Sequence, residues 1–535
     1  MSDFLQKLNK LKQKPVLTNS VGCLFMFALS FFLVYRVRVI NEPKYIVGTR
    51  GQIIYTLGVF AFAMLFVLIF RAAKKRSGDN LPLFMSALVF ALGVLFSFAT
   101  PINQVPDENS HFLRGVQMAY GDWGFEEGYV FPDDVNLLMQ CFPVAYNNGY
   151  PAKDTGIVYD RYSQYYELRR QGAENAENNG IIIFQVLPYI PLTVGIFAAR
   201  ILGMSAMAMY FMGRIRNVCF FTLCAYFALK MSGRFKMILF SIMCLPLMCF
   251  MYGSCNSDAV LFGLMFLMFG AVLSDEFDKN KFFTFALTLA LLATCKMTYI
   301  VFLPMLLCIK NENWNVKVRG KSINKLTALI VTVLIFVVVY EGTSLYVAAF
   351  SNFGTIDRTM ADTDPMRQFL FIVKNPLRYA AVFADTLKNN SFFLFSGGLL
   401  GWIDVKIPLV NYLTPLIALF TVVNGAGVFE KRDAVKTAGF FVCSLLTYAT
   451  AMTGLYLSWT PVTLPQIIGM QARYVYPAFL GFALVVGQYF AGKIKPDTDN
   501  SSVGCIGVQY AFCVVAAVMM IMVYSLPERA AVFIA

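Results

Sequence analysis

The feature that most limits how this chain can fold is the recurrence, from end to end, of apolar runs long enough to cross a bilayer. Clear cases are 21–35, 53–70, 81–99, 326–349 and 440–457. Hydrocarbon offers no water to backbone N–H and C=O groups, so each run must satisfy them within itself, as a helix does. The expected fold class is therefore all-α, a polytopic transmembrane helical bundle. A composition of 58% hydrophobic and 14% charged residues agrees, being far from that of an average soluble domain. The first run does not read as a cleavable signal peptide. It is long, lacks a small-residue cleavage site and is followed by further spans.

Thirteen spans are expected, at 17–40, 52–71, 81–100, 205–230, 236–252, 258–274, 281–295, 297–310, 326–349, 409–427, 438–457, 474–492 and 506–526. The apolar stretch 181–200 is interrupted by Pro188 and Pro191. It reads as an interfacial or re-entrant helix, because a full crossing would put the Arg234–Lys236 loop on the wrong side. Basic residues cluster at Lys7, Lys10, Lys12 and Lys14, at Arg71, Lys74, Lys75 and Arg76, and at Lys317, Arg319, Lys321 and Lys325. The positive-inside rule places these in the cytoplasm, with the N-terminus. Arg36, Arg38, Lys44 and Arg50 then fall outside or snorkel from helix ends, which fits the scheme less well.

The whole chain, 1–535, reads as one polytopic membrane domain with two large extracytoplasmic loops, 101–180 and 351–407. The first holds twelve acidic residues against five Lys or Arg, and 159–170 reads as a short polar helix. In the second, 365–387 alternates Phe369, Phe371, Ile372, Leu377, Ala380 and Phe383 with Arg367, Lys374 and Arg378. That is an amphipathic pattern, expected to lie on the membrane surface.

The net charge of +13 does not indicate nucleic acid, since the basic residues flank apolar runs as orientation signals do. The twelve cysteines form no CxxC pair and sit mostly inside expected spans, and there is one histidine, so a zinc site is not expected. No phosphate-binding Gly-rich loop occurs, which argues against an ATP-driven pump.

The chemistry-bearing stretch is Pro106-Asp107-Glu108-Asn109-Ser110-His111-Phe112, just after the run that ends near Thr100. It puts two adjacent carboxylates and the chain's single histidine where a helix should meet water. Other polar groups converge on the same layer: Arg214 and Arg216, Asn256 and Asp258, Lys296, and Gln471, Arg473 and Tyr474. Ionisable groups near membrane depth are costly and usually functional. Several cations beside a carboxylate pair point to a site for something anionic, although any one of them alone reads equally well as an interfacial anchor.

Three motifs carry a family resemblance: 106–114, Pro-Asp-Glu-Asn-Ser-His-Phe-Leu-Arg; 396–404, Ser-Gly-Gly-Leu-Leu-Gly-Trp-Ile-Asp; and 471–474, Gln-Ala-Arg-Tyr. With this order and spacing the chain resembles the bacterial polytopic membrane proteins catalogued as domain of unknown function 2142. That family is similar to the GT-C membrane glycosyltransferases. Ala472 stands where the family favours Gly.

The resemblance implies a bundle of GT-C type in a bacterial cell membrane, with its active site on the extracytoplasmic side. It implies transfer of a sugar, with inversion, from a polyprenyl-phosphate-linked donor to a cell-surface glycan, lipid or protein. Asp107 would be the base, and Asp107 and Glu108 have the hard oxygen ligands that a divalent metal, Mg or Mn, takes. His111 would orient Asp107 or hydrogen-bond the sugar. Arg114, Arg214, Arg216, Lys296, Asp404, Gln471, Arg473 and Tyr474 would bind substrate, with the cations facing the lipid phosphate. Two other readings stay open: a transporter or flippase of lipid-linked sugars, and a non-catalytic scaffold of cell-envelope glycan assembly.

Overall fold

The computed structural model describes residues 80–124, 129–143, 160–172, 186–350, 362–396, 399–400, 405–406, 408–424, 428–462, 464–491, 493 and 500–525. The expected spans 17–40 and 52–71, and the basic groups at Lys7–Lys14 and Arg71–Arg76, lie outside these residues. Among the described residues the regular structure is helical, apart from three two-stranded pairings with two residues per strand.

The bundle is built around three helices: α1 (Leu81–Ala99), α6 (Ala206–Met231) and α9 (Asp258–Leu273). Between α1 and α6 in the chain come α2 (Glu108–Ala119), α3 (Asp133–Cys141), α4 (Asp160–Gln171) and α5 (Ile190–Ile201). α4 is the polar helix expected at 159–170. Between α6 and α9 come α7 (Lys236–Met243) and α8 (Pro246–Tyr252). After α9 follow α10 (Lys279–Cys295), α11 (Met305–Cys308), α12 (Lys325–Phe350), α13 (Pro365–Lys374) and α14 (Pro376–Ser396). The series ends with α15 (Pro408–Asn424), α16 (Ala434–Ser458), α17 (Tyr476–Phe490) and α18 (Asn500–Ser525).

Local chemistry sets the helix ends. Pro82 opens α1 in its first turn, where its missing N–H costs nothing, and Pro101 keeps Thr100 extended just past its end. Ser205 caps α6 by accepting the Ala208 N–H. Two expected spans are not single helices. At 236–252, Pro246 holds Leu245 extended, and the chain bends by 80° between Gly233–Met243 and Pro246–Tyr252. At 297–310, Lys296 is extended, a 3-10 turn covers Met297–Phe302, and a new start after Pro304 gives only the short α11. By length and composition α1, α12 and α16 can each cross a membrane, and the bent pair adds a fourth if it counts as one span. The expected thirteen are therefore not all uninterrupted helices.

α5 doubles back onto α6 after the turn at 202–205. Its twelve residues rise about 18 Å, short of the roughly 30 Å of a hydrocarbon core. The amphipathic stretch 365–387 falls on two helices. Pro376 divides it into α13 and α14, and its apolar stripe is shared out. Phe371, Ile372 and Phe383 pack on the end of α16, whereas Phe369 and Leu377 stay exposed.

The two ends of the bundle differ. At one end Arg234, just past α6, pairs with Asp275, Glu430 and Asp433 at 2.7–3.0 Å. At the other, α2 to α5 and the first turns of α6 form a separate apolar cluster around Phe112, Leu138, Tyr189 and Tyr210. The main core, around Phe221, Tyr252 and Phe266, lies between. There Phe221 and Tyr252 stack with their ring centres 4.0 Å apart.

α6 and α9 approach closely where Gly270 meets Ala228. A methyl group at Gly270 would lie 2.6 Å from the Ala228 carbonyl oxygen and 2.7 Å from its Cα. Small residues let helices in a membrane bundle come this close. Gly270→Val should force the pair apart at a cost of about 1–3 kcal/mol. Thermal unfolding of the purified protein checks this, and an unchanged midpoint would contradict the packing.

Candidate functional site

The site is built on the loop that joins α1 to α2. Residues 101–106 are all buried, so their backbone groups need partners inside the protein. Tyr210 accepts the Asn103 N–H, Tyr162 accepts that of Ile102, and Asn256 donates to the Pro106 carbonyl. Arg214 does the most. Its guanidinium donates to the carbonyls of Ser97 (2.6 Å), Thr100 (2.5 Å) and Pro101 (3.1 Å), and through Nε and Nη2 to both carboxylate oxygens of Glu108, each at 2.8 Å. Both side chains are completely buried. Glu108 also accepts the Cys255 N–H at 2.9 Å, which ties the turn before α9 to the same point.

The two adjacent carboxylates therefore part company. Asp107 has φ 65° and ψ 4°, a left-handed conformation that Asp tolerates better than most residues. Its carboxylate does not cap α2. It reaches out of the loop to Arg473 at 2.9 Å, and its side chain is 48% exposed. Arg473 also pairs with Asp258 at 3.2 Å, and Asp258 lies 3.9 Å from Lys296. Asp258 is buried, the Arg473 side chain is 9% exposed, and Lys296 is 38% exposed. Tyr474 lies under both cations, 4.6 Å from the Lys296 nitrogen and 5.4 Å from the Arg473 guanidinium carbon. Two acids and two bases thus form an alternating chain, Asp107–Arg473–Asp258–Lys296.

Lys296, Arg473 and Tyr474 line one end of a cleft of about 220 Å³. Its wall runs down α16 along Thr447, Thr450, Ala451, Gly454 and Ser458, whose spacing places them on one helix face. The threonine and serine hydroxyls donate to carbonyls of their own helix, so their protons are already engaged. The Arg473 Nε is buried without a hydrogen-bond partner.

His111 stands behind the cluster, with Nδ1 on the Tyr189 hydroxyl. Burial lowers its pKa from 6.5 to about 4. Asp107 and Asp258 act upward, and Arg473 and Lys296 downward. The ring is neutral at pH 7.

Several other residues singled out from the sequence stand apart from the charge chain. Glu108 and Arg214 form a completely buried ion pair at 2.8 Å. Arg114 is buried away from the cluster, donating to Gln117 and to the carbonyls of Trp123 and Gly124. Arg216 faces a different cavity. Gln471 only precedes the 3-10 turn Ala472–Val475 that carries Arg473. Asp404 lies outside the described residues. Asp107 and Glu108 do not fit a shared metal, since one carboxylate is held by Arg214 and the other by Arg473. Among the described residues no cluster of three or more His, Cys, Asp or Glu side chains suited to a metal ion occurs. Tyr189 and the hydroxyl face on α16 leave no mark in the sequence, because both act through distant parts of the chain.

Two predictions follow from the divergent carboxylates and the neutral ring. Glu108→Gln leaves a buried guanidinium without its counter-charge and should cost about 3–5 kcal/mol. Asp107→Asn, at a half-exposed position, should cost under about 1 kcal/mol. Thermal melts of the two variants test this, and equal losses would refute the division. Between pH 6.5 and about 4 the unfolded chain protonates His111 and the folded one does not, so stability falls as pH drops through that window. Its full extent is about 3 kcal/mol. The slope of melting temperature against pH should flatten in His111→Gln, and an unchanged slope would contradict the assignment.

A family model described as Predicted membrane protein (DUF2142) matches residues 90–482. No curated protein and no solved structure matches the chain. The matched stretch includes the Glu108–Arg214 pair, the four-residue charge chain and the whole cleft. It covers well over half of the sequence, and the chain belongs to this family of predicted membrane proteins.

Proposed function

We propose that this membrane protein is an inverting glycosyltransferase of GT-C type, which moves a sugar from a polyprenyl-phosphate donor to a hydroxyl of an extracytoplasmic glycan, lipid or protein. One observation carries the reading. A half-exposed carboxylate, Asp107, and two cations, Arg473 and Lys296, stand together, and the cations head a cleft that continues down a helix apolar enough to cross a membrane. A lipid phosphate needs cations at the head of such a cleft and a long apolar neighbour for its chain.

The reaction balances on these groups. Asp107 takes the proton of the acceptor hydroxyl as its oxygen bonds to the anomeric carbon. The bond from that carbon to the phosphate oxygen breaks, and the electron pair leaves with the lipid phosphate. Arg473 and Lys296 meet the charge that grows there. Before substrate arrives they are neutralised by Asp107 and Asp258, so donor binding draws Arg473 from Asp107 and frees the base. Asp258, fixed at the start of α9, keeps Arg473 in place. His111 is neutral and supports this layer through Tyr189. No step passes through a metal.

The 80° bend between α7 and α8 supports a second reading, movement of the lipid-linked sugar across the membrane, because broken helices recur in transporters. One experiment separates the two. Purified protein in liposomes receives a labelled polyprenyl-phosphate sugar and a hydroxyl acceptor. Asp107→Asn should lower transfer by roughly 100- to 10,000-fold while the donor still binds. Arg473→Lys should recover only part of what Arg473→Ala loses, since the charge returns without the planar fork. Intact donor crossing between leaflets with no glycosidic bond formed would refute the transferase and favour the transporter.

A further inference from the structure

A second cavity, of about 460 Å³, opens between α5, α6, α9 and α10. Pro188, Pro191, Val194, Phe220, Leu223 and Leu264 are among the apolar residues of its wall. One charged side chain lines it, Arg216. Arg216 follows Arg214 by two positions, about 200° round the helix, so the two guanidiniums face opposite ways. Arg214 has all its donors engaged. Arg216 has no ion-pair or hydrogen-bond partner among the described residues. Arg216 is exposed at the edge of this apolar cavity, a cation open to an anionic headgroup.

The fold makes room for this side chain. A methyl group at Gly195 would sit 2.6 Å from the Arg216 Cγ and 2.4 Å from the Met212 carbonyl oxygen. The bare glycine lets the Arg216 stem cross α5 and bring its head to the cavity. From Arg216 to Leu223 the cavity follows α6 for about 10 Å. Val194 and Leu223, 43% and 56% exposed, open it sideways to whatever surrounds the bundle.

We propose that this cavity binds an anionic phospholipid of the bilayer, with its phosphodiester on Arg216 and an acyl chain along Phe220, Leu223 and Leu264. The lining chemistry chooses the occupant. Apart from Arg216, its side chains are apolar or thiols, Cys219 and Cys295. A single negative charge is matched, and no hydroxyl lines the cavity. Cys295 lines this cavity and Lys296, the next residue, lines the cleft, so the bound lipid braces the end of α10 that carries Lys296. This binding does not depend on the transferase reading.

The test uses the full-length protein in detergent, titrated with phosphatidylglycerol or phosphatidylcholine of equal chain length and followed by native mass spectrometry. Phosphatidylglycerol should be retained at about fivefold lower concentration, as expected for one cation near a lipid surface. Arg216→Gln should erase that preference, and Arg216→Lys should keep most of it. Leu223→Trp, at an exposed position that tolerates bulk, should lower retention of both lipids, and lipid-free thermal melts show that each variant is folded. Equal retention of the two lipids by the wild type, or an undiminished preference in Arg216→Gln, would overturn the proposal. Displacement of phosphatidylglycerol by polyprenyl phosphate would overturn it too, making the cavity a second substrate site.

Discussion

Everything near the candidate site depends on one buried ion pair. Five donors of Arg214 meet three backbone carbonyls and both oxygens of Glu108. An ion pair removed from water loses hydration that the mutual attraction alone rarely restores. Here the carbonyls and the Cys255 N–H fill the remaining hydrogen-bonding positions. The pair closes the C-terminal end of α1, starts α2, and fastens the turn before α9 to α6. Three parts of the chain, around residues 97–108, 214 and 255, meet at one point.

That point lets adjacent residues do opposite jobs. With Glu108 drawn inward, the left-handed backbone at Asp107 turns its carboxylate outward to Arg473. The start of α9, held by the same contacts, delivers Asp258 to the other side of Arg473. The end of α10 adds Lys296. The resulting chain of alternating charges is neutral as a whole, which makes it stable without substrate. It can still be divided when an anion arrives, because Asp107 and Lys296 at its two ends are the exposed members.

Much of this was legible in the sequence, and what was not has physical causes. Apolar length marked α1, α6, α12 and α16 to within a few residues, because continuous helices leave a continuous signal. The breaks at Pro246 and Pro304 lie in runs that remain apolar throughout, so hydropathy passes over them. The motif around Asp107 stood out as two acids beside the single histidine. Its neighbour Glu108 looked equivalent, since adjacency in sequence hides the turn that separates them. Arg214 and Arg216 looked like a pair for the same reason, although helix geometry sends them to opposite faces. The partnership of Glu108 with Arg214, across 106 positions, leaves no local trace.

The central claim is that Glu108 holds the fold while Asp107, Arg473 and Lys296 receive a lipid phosphate and its sugar. A cryo-EM structure with a polyprenyl-phosphonate sugar, a donor that cannot release its sugar, tests this most directly. The account predicts the phosphonate between Arg473 and Lys296, the anomeric carbon facing Asp107, the lipid chain along the Thr447–Ser458 face, and the Glu108–Arg214 pair unchanged. A phosphonate bound beside Arg216, or density anywhere else while Asp107 stays on Arg473, would contradict it.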